Sequence, residues 1–170
     1  MDAADPRLRV MSLLIVHHSR TGGSRQMAEA AFDAARAETE TQLVRAGEVS
    51  AAEMLAVTGY LFCGPENLAA LSGEMKEFFD RLYYPLLGRI EGRAYAHMIC
   101  AGSDGEGAAR QLARIATGWR LRAVQPPLIV NTAAQTPEAI LAAKTIPPAD
   151  LDRCRALGAA LGAGLEMGAF

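Results

Sequence analysis

Residues 17–25, with the sequence HHSRTGGSR, combine the residue types that bind an anion. Two adjacent glycines let the backbone approach a ligand without interference from a Cβ atom. Hydroxyl groups and positive charges surround them, on Ser19, Arg20, Thr21, Ser24 and Arg25. A helix that begins here adds unpaired backbone N–H groups and the positive end of its dipole. A phosphate monoester, with a charge of about −1.5 to −2 near neutral pH, suits this set of donors without a metal ion.

A simpler interpretation is a helix N-cap, in which Ser24 or Thr21 caps the helix and the glycines form the turn. It explains one hydroxyl group but not three. Other phosphate motifs do not match, since the loop has neither the GxxxxGK nor the GxGxxG pattern. A C-x5-R phosphatase loop is also excluded, because Ala69 and Glu106 stand six residues after Cys63 and Cys100. A receiver domain needs an acidic pair after the first strand, where this chain has histidines.

The composition predicts one ordinary globular domain over residues 1–170, with residues 1–10 disordered or peripheral. Of the 170 residues, 51% are hydrophobic and 21% charged, and the net charge is −2. This balance gives no reason to expect nucleic acid as a partner. The three cysteines are widely spaced, which fits neither a metal site nor a disulfide framework. We expect a cytoplasmic protein with no metal and no membrane span.

Short apolar runs alternate with helical patterns along the chain. The runs read as strands buried on both faces of a parallel sheet, and they cover residues 11–16, 42–46, 58–63, 94–100 and 128–130. The helical patterns are apolar stripes at residues 75–82, 108–116 and 151–165 and an alanine-rich stretch at 24–38. The glycines at 158, 162 and 164 indicate close helix packing, and Pro137 opens a short helix to residue 144.

This alternation predicts a doubly wound α/β fold with a five-stranded parallel sheet and helices on both faces. The flavodoxin-like version has the strand order 2-1-3-4-5, and ligands gather at the carboxyl ends of strands 1, 3 and 4. In this chain those ends are residues 16–24, 63–68 and 100–107.

Three segments resemble the flavodoxin-like superfamily. SRTGGS after the first strand looks like its phosphate loop. GPENLAALSGEMKEFFDR resembles the second flavin loop of NAD(P)H-dependent FMN reductases and of quinone reductases related to the tryptophan-repressor-binding protein. AGSDGEGAARQLARIATGWRLRAVQPP is similar to the third loop and its helix. The likeness covers about residues 11 to 130, and the loops match in order.

The resemblance implies bound FMN. Its phosphate would be held by Ser19, Arg20, Thr21, Gly22, Gly23 and Ser24. The isoalloxazine edge that carries N5 would be lined by Pro65, Glu66, Asn67 and Leu68. The pyrimidine side would be lined by Ala101, Gly102, Ser103, Asp104 and Gly105. Backbone N–H groups aimed at that side stabilise the charge of a reduced flavin.

The function expected from this resemblance is an oxidoreductase that takes hydride from NADH or NADPH and reduces a flavin, a quinone or a similar small acceptor. The alternatives are a one-electron carrier and a flavin-binding protein without turnover. Carriers of this type are strongly acidic and cover the flavin with aromatic side chains, whereas this chain is nearly balanced and has no aromatic residue in its second or third loop. Glu66 and Asn67 stand where the quinone reductases have an aromatic residue, which favours the FMN-reductase type.

The remaining polar and aromatic residues have structural interpretations. His17, His18 and His97 are expected to fill space, although a ligand or proton-relay role for the first two stays open. Glu66 is either a flavin contact or a solvated turn residue, and Asp104 or Glu106 is a candidate N-cap of the fourth helix. Trp119 is expected in the core. From the family we expect a homodimer or homotetramer with a contact at residues 82–87. We expect residues 131–150 to form a loop that includes the short helix at 137–144 and to be a contact for substrate or another subunit.

Overall fold

A parallel sheet with helices on both faces organises the chain in the computed structural model, which describes residues 12–170. The expectation for residues 1–10 lies outside the described residues. The strands are β1 (Leu13–His17), β2 (Thr41–Arg45), β3 (Gly59–Asn67), β4 (Ala70–Leu71), β5 (Ala94–Ala101), β6 (Arg122–Ala123) and β7 (Leu128–Asn131). The helices are α1 (Gly23–Ala35), α2 (Ala51–Ala56), α3 (Gly73–Leu86), α4 (Glu106–Gly118), α5 (Pro137–Leu141) and α6 (Pro148–Glu166), with a 3-10 turn at Ala46–Glu48.

The strand order confirms the predicted doubly wound topology. The sheet runs β2-β1-β3-β5-β6, and the pairs β1–β2, β1–β3 and β3–β5 are parallel. The fifth position across the sheet is shared by two short strands, since β6 pairs with the start of β5 and β7 with its end. Pro126 and Pro127 stand between these strands. Because proline has no N–H to donate to a ladder, the strand is interrupted there.

Both faces of the sheet are buried, as the continuous apolar runs predict. Along β1, Leu14 and Val16 pack in the core with α2, α3 and α4, while Leu13 and Ile15 pack in the core with α1 and α6. The predicted stripe of α3 is buried, and Trp119 lies in the same core with its Nε1 donating to the carbonyl of Tyr83 at 3.0 Å. Within residues 12–170, no helix combines the length and apolarity of a membrane span.

The predicted close packing at the glycines of α6 is confirmed. A Cβ atom at Gly158 would lie 2.2 Å from the carbonyl oxygen of Ala31 in α1. Only glycine therefore allows the two helices to approach this closely. This contact places α6 beside α1, and it helps to fix the position of the helix that follows the glycine-rich loop.

His97 is expected to make the stability of the fold fall in acid. It is 3% exposed in β5, and burial lowers its pKa to about 4, while a hydrogen bond with the backbone of Ala109 acts in the opposite direction. The unfolded chain, with a histidine pKa near 6.5, binds the proton more readily than the folded chain as the pH falls from 6.5 towards 4. The free energy of unfolding should therefore fall by about 2 kcal/mol between pH 7.5 and pH 5 because of His97.

Urea unfolding of the wild type and of His97→Phe at these two pH values measures this contribution. Burial also lowers the pKa of His17 and His18, so some pH dependence should remain in the variant. Only the difference between the two proteins reports on His97. An equal loss of stability in both proteins would contradict the prediction.

Candidate functional site

Loop 1, residues 18–22, connects β1 to α1 at the carboxyl edge of the sheet. Gly22 has a φ of 93°, in the left-handed region that favours glycine. Helix α1 follows directly. Its N-cap residue is Gly22, which has no side chain to cap the helix, and its first turn contains no acidic residue. The interpretation of Ser24 or Thr21 as the N-cap is therefore wrong. The first amides of α1 remain able to bind an anion.

Gly23 and Ser24, the first residues of α1, are packed closely against the ends of the strands. Ser24 is 1% exposed, and its hydroxyl oxygen has no hydrogen-bond partner within residues 12–170. A Cβ atom at Gly23 would lie 2.6 Å from the sulfur of Cys100. Since a buried hydroxyl without a partner costs about 1–3 kcal/mol, Ser24 is a candidate ligand-binding group.

An open crevice of about 930 Å³ lies beside loop 1. Its walls are loop 1 with His17 and Arg25, residues 45–48 at the end of β2 and in the 3-10 turn, Glu74 and Glu77 of α3, and residues 141 and 143. Cationic and anionic groups are mixed along it. One end of the crevice is the start of α1, at loop 1 and Arg25. Residues 65–68 and 101–105, which the resemblance assigned to the flavin ring, do not line it.

His18 joins loop 1 to the start of α3. Its Nδ1 lies 2.8 Å from the hydroxyl of Ser72, and its Nε2 lies 3.6 Å from a carboxylate oxygen of Glu74. Burial lowers the pKa of His18, and Glu74 only partly offsets this. The contacts Ser72–His18–Glu74 have the order of a catalytic triad. However, Ser72 is fully buried and caps α3, with its Oγ accepting from the Met75 N–H. The cluster is therefore a structural link rather than a nucleophilic site.

The second predicted site segment is part of a β-hairpin. Strand β3 continues beyond the predicted end at residue 63 through Pro65 and Glu66 to Asn67, and it pairs antiparallel with β4. The two turn residues, Leu68 and Ala69, have φ values of 51° and 61°. Positive φ at both positions is characteristic of a type I′ turn and is strained for residues with a Cβ atom. Leu68 is fully exposed at the tip of this hairpin.

Glu66 joins this hairpin to α4. One carboxylate oxygen accepts from the Gly105 N–H at 2.9 Å, and the other accepts from the Ala108 N–H at 3.1 Å. The side chain of Gln111 adds a further link, accepting from the Leu71 N–H at 2.7 Å. Glu66 is thus neither a solvated turn residue nor free to reach far from α4. It performs the capping that the sequence suggested for Asp104 or Glu106.

Loop 3, residues 102–105, is supported by the segment after β7. The Asn131 side-chain amide donates to the Ser103 carbonyl, and the Thr132 N–H donates to the Ala101 carbonyl at 2.8 Å. A Cβ atom at Gly102 would lie 2.5 Å from the Ala134 carbonyl oxygen. The third loop is therefore held from outside by residues 131–134, which belong to the segment that the sequence predicted to contact substrate or another subunit.

Known structures share the fold of this chain. The chain matches a flavodoxin from the domain Archaea with a TM-score of 0.74 at 18% identity, over 92% of this chain and 99% of that one. It matches a WrbA-like flavodoxin protein from Agrobacterium tumefaciens with a TM-score of 0.70 at 16% identity, over 92% and 98%. A flavone reductase gives a TM-score of 0.71 at 15% identity, over 92% and 63%. The fold is flavodoxin-like.

A sequence relative agrees with this flavodoxin-like fold. A flavodoxin from Aquifex aeolicus (strain VF5) is 31% identical over 97 residues, which are 56% of this chain and 52% of that protein. The match thus spans about half the length of the relative. No protein-family model matches the chain.

The flavodoxin-like topology brings all three predicted loops to one edge of the sheet, since they follow or end β1, β3 and β5. Sequence reasoning missed Gln26 and Lys144, which connect loop 1 to the segment after α5. Lys144 donates from its backbone N–H to the Thr21 carbonyl at 2.8 Å. The short helix predicted to residue 144 ends at Leu141, so Lys144 lies beyond it. No local pattern relates residues more than 100 positions apart.

Replacing Glu66 is expected to destabilise the junction between the hairpin and α4. Glu66→Ala removes the acceptor of two backbone amides and should lower the free energy of unfolding by about 2–3 kcal/mol. Glu106→Ala is the matched control, because this exposed carboxylate in the first turn of α4 has no hydrogen bond or ion pair within residues 12–170 and interacts there with the helix dipole. Its replacement should cost less than about 1 kcal/mol. Denaturant unfolding compares the two variants, and equal losses would show that Glu66 is not the cap.

Proposed function

We propose that this protein binds FMN at the carboxyl edge of its sheet, with the phosphate at the start of α1. The observation that carries the proposal is the open N-terminus of α1, where a left-handed Gly22 precedes a buried Ser24 hydroxyl that has no partner among the described residues. A phosphate supplies acceptor oxygens for these donors. The predicted phosphate residues Ser19, Arg20, Thr21, Gly22, Gly23 and Ser24 therefore fit the group.

The ring of FMN would lie towards the hairpin and loop 3. Glu66 already uses the amides of Gly105 and Ala108, so a pyrimidine edge would be met by the backbone at residues 102–104. Pro65, Asn67 and Leu68 would be on the N5 side, as the resemblance implies. Neither segment has an aromatic side chain, so one face of the ring would be left for a nicotinamide or an acceptor.

The proposed activity is transfer of electrons from NADH or NADPH to a flavin, a quinone or a similar small acceptor. When bound, FMN would supply the hydride chemistry at its N5. The chain would bind the phosphate, orient the ring and leave one face accessible. No acid–base side chain is needed for this role. The flavone reductase and the WrbA-like protein among the structural neighbours support an enzyme of this class.

A one-electron carrier is the second candidate, favoured by the sequence match to the Aquifex flavodoxin. A net charge of −2 provides little electrostatic steering towards a basic partner protein. An aliphatic Leu68 at the hairpin tip also differs from an aromatic flavin cover. These two features favour the enzyme over the carrier.

We further propose a cytoplasmic homodimer or homotetramer. Within the segment expected at the subunit contact, Tyr84 is 78% exposed and Leu87 is 46% exposed. Leu82 and Leu86 belong to the core and are not available to a second subunit. Tyr84 and Leu87 would therefore provide the apolar contact.

FMN binding should depend on the Thr21 hydroxyl. Thr21→Val preserves the side-chain shape but removes a donor to a charged phosphate, and it should weaken FMN binding at least about tenfold. Thr117→Val is the matched control, because the Thr117 hydroxyl donates only along α4 to the Ala113 carbonyl at 2.9 Å. Quenching of flavin fluorescence measures both. If the wild type fails to bind FMN, the proposed function is wrong.

Anaerobic mixing of the FMN-loaded protein with NADH or NADPH separates the two candidates. Rapid bleaching of the flavin absorbance by one nucleotide, reversed by a quinone or free flavin, is the result expected of the enzyme. Reduction by dithionite but by neither nucleotide would overturn the enzyme proposal and favour the carrier.

A further inference from the structure

The segment after α5, residues 142–146, returns to loop 1 and is hydrogen-bonded to loop 1 and to the first turn of α1. The Lys144 backbone N–H donates to the Thr21 carbonyl at 2.8 Å. The Gln26 side chain donates to the Lys144 carbonyl at 2.7 Å and accepts from the Ile146 N–H at 3.0 Å. At Gly23, a Cβ atom would lie 3.5 Å from both Lys144 and Ile146. These contacts fix the backbone of Lys144 beside the start of α1.

The position of the Lys144 ammonium group next to Thr21 is fixed by hydrogen bonds. It contacts the carbonyl oxygens of Ala139, Ile140 and Ala142 at 2.8, 2.9 and 2.6 Å, and it lies 3.3 Å from the Thr21 hydroxyl oxygen. The three carbonyls belong to the end of α5 and the turn after it, where a helix presents unpaired acceptors. The charge is thereby positioned by neutral oxygens.

This contact orients the Thr21 hydroxyl. An ammonium group has hydrogens to donate and no lone pair to accept with. The Thr21 oxygen is therefore the acceptor in the contact with Lys144, as the fourth and longest contact of a group whose three hydrogens also serve the three carbonyls. The hydrogen of the Thr21 hydroxyl is left to donate elsewhere. Ser19 is in a similar position, because its oxygen accepts from the Gly22 N–H at 3.1 Å. The hydroxyl groups of Ser19 and Thr21 thus have their hydrogens available to donate, and a ligand with only acceptor oxygens requires such donors.

The charge of Lys144 is not neutralised by a carboxylate. Arg20 lies 3.8 Å from Glu74, and Arg25 lies 3.8 Å from Glu29. Lys144 makes no ion pair with any Asp or Glu within the described part of the chain, although it is half-buried. A half-buried cation without a counter-ion is most stable when an anion binds beside it. Its position next to loop 1 places that anion at the start of α1.

We infer that Lys144 is a positioning residue of the phosphate site: it holds the Thr21 hydroxyl as a donor, and it adds a positive charge that, unlike that of Arg20 in loop 1, is not paired with a carboxylate among the described residues. This inference rests on the proposed binding of FMN. It also assigns a role to residues 139–146, which brace the phosphate site rather than contact a substrate. The site should therefore distinguish FMN from riboflavin, which has the same ring and chain but no phosphate.

Flavin titrations of Lys144→Met test the inference, with FMN and riboflavin as the two probes. Lys144→Met should weaken FMN binding about tenfold or more and change riboflavin binding less than about twofold. The matched control is Lys76→Met, since Lys76 and Lys144 are the two lysines of the sequence and Lys76 pairs with Asp80 on α3. Lys144→Arg keeps the charge and should restore part of the preference for FMN. Thermal unfolding of each variant identifies any that has lost its fold.

A double-mutant cycle with Thr21→Val tests whether Lys144 acts through the hydroxyl. Once the hydroxyl is absent, Lys144→Met should cost less than about threefold in FMN affinity. Equal weakening of FMN and riboflavin, or an effect no larger than that of Lys76→Met, would overturn the role of Lys144 while FMN binding by the wild type stands. If the wild type does not bind FMN, stabilisation of the wild type but not of Lys144→Met by inorganic phosphate would still support an anion site at Lys144. Absence of both effects would overturn the inference together with the proposed function.

Discussion

Parallel pairing of β1, β3 and β5 is the constraint on which the whole candidate site depends. The register places His17 beside Cys63 and Pro65 beside Cys100, so the chain leaves all three strands at the same edge. Parallel strands need long crossovers, and these place the helices on the two faces. Each crossover helix begins near the edge where the loops emerge. The positive ends of α1, α3 and α4 therefore converge on that edge.

The N-termini of the helices at this edge differ in how they are capped. Ser72 caps α3, and Glu66 brings a carboxylate from β3 to cap α4. The start of α1 has no such cap and is bordered by hydroxyl groups, by two arginines and by the ammonium of Lys144. An intramolecular carboxylate thus occupies one positive helix end, while another is left open. This asymmetry is the physical basis for the proposal that a phosphate binds at α1.

Fold alone does not separate the electron carriers from the reductases among the structural neighbours. Neighbours of both classes share the fold, so the two candidate functions are distinguished by what would cover the flavin and by the surface charge. Here the hairpin ends in an exposed Leu68 on a strained turn, and the third loop is held by Asn131 from the segment after β7. Both features lie where the second and third loops would meet a flavin ring, and so they bear on which reaction the protein supports.

The sequence by itself determined the main strands, the positions of the main helices and the loop that starts at the end of β1, and the resemblance to a known fold added the strand order. The strands, helices and loop follow from local patterns, which are continuous apolar runs, apolar stripes at helical spacing and a glycine pair among hydroxyl groups. Tertiary structure alone decided that Glu66 caps α4, that β3 extends into a hairpin and that Lys144 reaches Thr21. These depend on contacts across 40 to more than 100 residues: Gln111 holds the hairpin at Leu71, Glu66 meets Ala108 and Lys144 meets Thr21. A single sequence has no period or motif that encodes such pairs, because the geometry of the assembled sheet creates them.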